Sequence, residues 1–234
     1  MRATLALAFL LAFVTTRAER LQAHPFTPSV AADSLQVGRD TVILGWKVRI
    51  SPALSEHHLL ATRTTAVLKQ ELEKISAVLP KQVLPELQEV PLSLEYHSPT
   101  RKVLHYWGSA NPFHHIQIEP RLAGAIEISA PEYCNMPPDS LPLIKWFAAS
   151  YVETVIGQKD QALARAYSHA VASGVYDVQV HGRMYFPFAS AEEYFAVLSA
   201  AYFTDRLSYA PYSKARLRKL DPEGYAFLKK AWGK

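Results

Sequence analysis

Residues 141–157, LPLIKWFAASYVETVIG, constrain this chain more than any other stretch. Lys145 and Glu153 are its only charged residues, and its apolar side chains recur all round the turn, which reads as a buried helix. Four prolines from position 131 to 142 form a stiff loop, expected to be non-helical, that delivers the chain into it. Gly157 stops it. A helix of this kind needs cover on every side, so the other elements must pack round it. At 234 residues, 49% of them apolar and 20% charged, the chain can build that core within one domain.

The N-terminus is set apart. Arg2 precedes an apolar run, residues 5–14, followed by Thr-Thr-Arg-Ala. A positive start, a short apolar middle and small residues at the end describe a secretory signal peptide, residues 1–18, with cleavage after Ala18 or as late as Ala23. The run is shorter than a bilayer span requires. The mature chain is therefore expected to be secreted, or held in a periplasm or cell envelope, with no membrane span. Cleavage removes Arg2 and Arg17 and lowers the formal charge from +4 to +2, which argues against nucleic acid as a partner. Cys134 is the only cysteine, so no internal disulfide forms and a buried thiol is expected.

Residues 19–40 read as a linker and 41–234 as the domain. Residues 42–50 alternate as one half-buried strand. Ser55 is placed to cap a helix running to about Leu79, with Leu68, Leu72, Ile75 and Leu79 as its core stripe. Residues 91–97, 101–107, 115–119 and 125–129 read as strands. After the central helix come a helix capped by Asp160 and closed by Gly174, a short strand or arm at 175–184, and an apolar helix opened by Ser190. A basic helix over 212–220 and a last helix started by Asp221-Pro222 complete the chain. Strands early and helices late predict an α+β fold: a small twisted mixed sheet packed on helices.

Seven segments carry a resemblance: GWKVRI, LQEVPLSLE, AIEIS, KWFAASY, AYSHAVASGVYDVQV, EEYFAVLSAAYF and LDPEGYAFLKKAWG, in that order. Together they resemble a family of secreted zincin-like zinc metallopeptidases with a fold like the anthrax lethal factor protease domain. The resemblance implies a zincin-like fold in which KWFAASY stands where the family has H-E-L-A-H-A-Y. Ala148 and Tyr151 match it. Lys145 and Ala149 replace the two histidines, and Trp146 replaces the glutamate that serves as general base. The family's third ligand, a glutamate on a later helix, falls on Glu193. Its tyrosine seven residues earlier falls on Phe186, with Tyr185 next to it, and a second acidic position falls on Val197.

The chemistry makes those losses consequential. Histidines four residues apart project from one helix face and grip one zinc, and a catalytic site needs three protein ligands with one position open. One carboxylate beside a lysine does not meet that need, so no zinc and no other cofactor is expected. Lys145 is instead expected to pair with Glu193, joining two helices; the two side chains pointing apart would overturn this. Glu193 also completes a Ser-Ala-Glu-Glu capping box, bonding back to the cap amide. Trp146 is expected to fill the space left by the glutamate and the metal.

The resemblance thus implies a pseudopeptidase that keeps a substrate groove and holds a peptide or protein there. Candidate groove residues are Lys145, Trp146, Tyr185, Phe186, Glu193, Ile126 and Ile128, the last two on an edge strand that pairs with extended ligand. Two rivals stand beside it: an active hydrolase with a rearranged site built from Glu153, His169, Tyr185 and Glu193, and a structural cell-envelope protein.

Overall fold

The computed structural model describes residues 38–98, 100–108, 119–137, 140–181, 183–205, 207 and 210–233. The signal peptide, nearly all of the linker, and residues 115–118 of the expected strand at 115–119 lie outside the described residues.

A five-stranded sheet begins with a hairpin, β1 (Arg39–Ile43) and β2 (Trp46–Ile50). The expected single strand is therefore two, and β1 draws on residues assigned to the linker. Leu44 and Gly45 make the turn at φ 52° and 93°. Two consecutive positive φ values fit a tight hairpin, usually signalled by Asn-Gly; leucine in the first place hides it. The Gln88 side chain donates to the Leu44 carbonyl at 3.0 Å and holds the turn.

Next come α1 (Pro52–Glu56), capped by Ser51, and α2 (His58–Val78). The chain breaks at His57, so the long helix starts three residues after Ser55, the expected cap. Then follow α3 (Leu84–Gln88), β3 (Leu92–Glu95), β4 (Leu104–Tyr106) and β5 (Ile126–Ser129). The strand order is β1-β2-β3-β5-β4. Strands β2, β3 and β5 run parallel, and β4 returns antiparallel at the edge.

Contrary to expectation, the proline-rich loop opens with a helical turn, α4 (Ala130–Tyr133). Pro131 sits in its first turn, where no backbone N–H is needed. The central helix α5 (Leu143–Tyr151) passes into a π-helical turn, Val152–Ile156, closed at Gly157. Next come α6 (Gln161–Ser173) and a small hairpin of β6 (Val178–Val180) and β7 (Arg183–Tyr185). Helices α7 (Ala191–Phe203), α8 (Lys214–Leu220) and α9 (Pro222–Ala231) complete the described chain. The fold is α+β with a small mixed sheet.

Period two sorts the sheet faces. Trp46, Val48, Ile50, Leu92, Leu94, Ile126 and Ile128 are buried in the core with Leu68, Leu72 and Ile75 of α2. Trp46 meets Phe147 of α5 with ring centroids 5.9 Å apart. The other face is polar, exposed along β1 and β2 and buried over β3 and β5. There Arg121 holds Glu95 through two nitrogens and Glu119 at 2.6 Å, and Trp107 donates to Glu127 at 2.6 Å.

Candidate functional site

Helix α5 begins without a side-chain cap of its own, because Pro142 occupies the cap position. Glu71 of α2 supplies one from outside. Its Oε1 accepts the Leu143 N–H at 2.8 Å, and its Oε2 accepts the Tyr133 hydroxyl of α4. Burial pushes this carboxyl up to about 7, against partial relief from Tyr133, the Leu143 amide and Lys74. Tyr151 at the far end stacks on Trp232, centroids 4.6 Å apart. The helix is thus fixed at both ends.

Helix α5 packs along α7, and a cleft of about 750 Å³ opens between their outer faces and β4. Its floor is Ala149, Val152 and Ala196; its walls include Lys102, His105 and Tyr106 on one side and residues 189–193 on the other. The strand wall has a free direction. Trp107 N–H bonds Ala125 O and Ser129 N–H bonds Val103 O, each at 2.9 Å. Antiparallel alternation then turns the backbone groups of Leu104 and Tyr106 away from β5. Among the described residues no strand pairs with that edge.

Within the cleft, Lys145 Nζ lies 3.5 Å from Glu193 Oε1. Glu193 has a second engagement: its Oε2 accepts the Ala189 N–H at 3.0 Å, and its own N–H donates to Ser190 Oγ at 3.1 Å. Half of the capping box forms: Ser190 caps the helix, but the Glu193 carboxylate bonds the amide one residue before the cap. Trp146 does not fill the space. It leans on the wall, edge-on to His105 at 5.6 Å, with Lys145 Nζ 5.2 Å from its ring centre, and the cleft stays open.

Carboxylates crowd one end. Burial, then Glu153 and Glu193, raise the Glu192 carboxyl. Burial and a hydrogen bond with Glu153 raise the Tyr106 hydroxyl. Gly108 allows this approach: a Cβ there would sit 2.2 Å from Glu153 Oε2.

Of the groove candidates, Lys145, Trp146 and Glu193 line the cleft, as does Ala149. The others do not. Ile126 and Ile128 are buried in β5, an interior strand between β3 and β4; the edge strand is β4. Tyr185 is exposed on the β6–β7 hairpin. Phe186 packs into an aromatic cluster with Tyr167, Tyr176 and Phe188. The rearranged-hydrolase set does not converge either, since His169 faces Glu223 at 3.7 Å and neither it nor Tyr185 lines the cleft. Lys102, His105, Tyr106 and Glu192 line it without having been singled out. Glu192, adjacent to Glu193, was the one with a local signal.

The three residues at the implied ligand positions do not fit a zinc ion. Lys145 brings a cation, Ala149 a methyl group, and Glu193 one carboxylate already shared between a lysine and a backbone amide. No family model, no curated protein and no solved structure matches this chain.

Proposed function

We propose that this protein is a zincin-like pseudopeptidase that holds an extended peptide or protein segment in its cleft without cutting it. The carrying observation is the Lys145–Glu193 contact in an open cleft. A lysine ammonium stands beside the one retained carboxylate, at the place the resemblance gives to the metal. The β4 edge supports the binding half of the reading. Outward amide and carbonyl groups at Leu104 and Tyr106 suit an added strand, and the apolar floor suits a side chain of that strand.

The test is incubation of the mature chain with a random peptide pool, with and without chelator, followed by mass spectrometry of the retained and released fractions. Wild type should retain a subset of peptides, generate no shortened products, and ignore the chelator. Ala191→Trp, which places a ring at the partly exposed rim, should lose retention. Chelator-sensitive products would establish an active metallopeptidase and end the reading. Undiminished retention by Ala191→Trp would place binding outside the cleft and end it equally.

A further inference from the structure

The net charge of this chain is concentrated at one end. Residues 205–234 hold eight lysines and arginines against three acids, while the other 204 residues hold seventeen against eighteen. The fold gathers that surplus on α8 and α9, which pack together. Leu217 and Leu228 point into the core, which leaves Arg216, Arg218, Lys219, Lys229 and Lys230 exposed, with Lys214 partly buried beside them. None of the six has an ion-pair partner among the described residues. Three lie over tyrosine rings: Lys214 over Tyr202 at 3.9 Å, Arg216 over Tyr212 at 5.3 Å and Arg218 over Tyr225 at 5.9 Å. Lys229, one turn after Tyr225, continues the same side of α9. Of the three acids nearby, Asp205 is exposed and accepts the Lys214 backbone amide at 3.2 Å; the other two do little to cancel the charge. Asp221 is buried, accepting from Tyr176, Tyr194 and the Gly224 amide. Glu223 faces His169.

Apolar groups break through among these cations. Tyr212 is 39% exposed and Leu220 38% exposed, at the two ends of the basic segment. We propose that this face docks the protein peripherally on an anionic phospholipid surface, the cations meeting headgroup phosphates and Leu220 and Tyr212 entering the headgroup layer. Charge complementarity selects the sign of the partner. The exposed apolar pair selects lipid over a purely polar polyanion. Screening limits the relevant charge to about a Debye length, ~8 Å, so the net acidity of the remainder once Arg2 and Arg17 are removed does not oppose docking. Nor is a spanning segment implied, as no described helix is long and apolar enough to cross a membrane.

Flotation of the mature chain with vesicles tests this. It should bind phosphatidylglycerol-rich vesicles, stay free of pure phosphatidylcholine vesicles, and detach in high salt. Two charge reversals, Arg218→Glu with Lys219→Glu, should weaken binding about 30-fold or more, at roughly fivefold per charge. Lys69→Glu with Lys81→Glu makes the same change in net charge at exposed sites elsewhere and should stay within about twofold. Leu220→Ser, with every charge kept, should weaken binding severalfold. Equal binding to neutral vesicles, or equal loss in the two reversed variants, would overturn the proposal. So would binding to duplex DNA with none to anionic vesicles, which would assign the face to nucleic acid. The arginine and lysine replacements lie on exposed positions, and circular dichroism separates loss of binding from loss of fold.

Discussion

Glu71 and Glu193 are both carboxylates at helix starts, and their surroundings give them opposite weight. The Lys145–Glu193 pair is 27% and 39% exposed at 3.5 Å, so solvent screens it and its contribution to stability is below about 1 kcal/mol. It positions two side chains more than it stabilises the fold. Glu71 is buried, and its folded-state carboxyl is raised from 4.5 to about 7. The folded form therefore holds the proton more tightly than the unfolded form. The associated stability is fully present below pH 4.5 and is lost as pH rises through 7, a swing of about 3 kcal/mol. In Glu71→Gln this component is absent. Urea unfolding at a series of pH values should show wild type losing stability relative to the variant between those limits. A constant difference across the window would mean that Glu71 does not titrate there. The sequence offered no hint of this role, because a glutamate within an apolar helical stripe carries no mark of the helix it will cap from outside.

At the scale of elements, the readable ones carried their own punctuation. Asp160 accepts the Leu163 N–H at 2.8 Å, Ser190 the Glu193 N–H at 3.1 Å and Asp221 the Gly224 N–H at 2.8 Å, each opening its helix where expected. Elements were misread where the signal lay in backbone geometry: the Leu44-Gly45 turn, the break at His57, and Pro131 inside a first turn. The packing of α5 on α7 makes a prediction of its own. If their spacing is that of a zincin, Lys145→His, Trp146→Glu and Ala149→His together rebuild a donor set with Glu193. The triple variant should take up one zinc per chain by mass spectrometry after zinc dialysis, and wild type should not. A triple variant that folds yet takes up none would show that the two helices stand at a different distance.

For the whole molecule, class was legible and placement was not. Alternating strands followed by helices foretold a mixed sheet on helices, yet the edge strand was assigned to residues 125–129 instead of Leu104–Tyr106. Short apolar runs look alike whether interior or peripheral, and only the order β5-β4 decides. Helix α7 links the two surfaces of interest: Ala191 and Ala196 line the cleft near its start, and Tyr202 meets Lys214 near its end. Along the helix axis Ala191 and Tyr202 stand roughly 16 Å apart, and Ala196 and Tyr202 roughly 9 Å. Protein floated on anionic vesicles should therefore retain pool peptides within about twofold of free protein; loss on docking would place cleft and patch on one face. Glu193, at the start of that helix, also bears on the proposed kinship with zinc peptidases. Its carboxylate bonds the Ala189 amide within the start of its own helix. Selection for a well-formed helix would preserve it through generations in which every other role had lapsed. Its persistence in a lineage would therefore record an obligation to fold, and survival of a motif residue would be a poor witness to surviving chemistry.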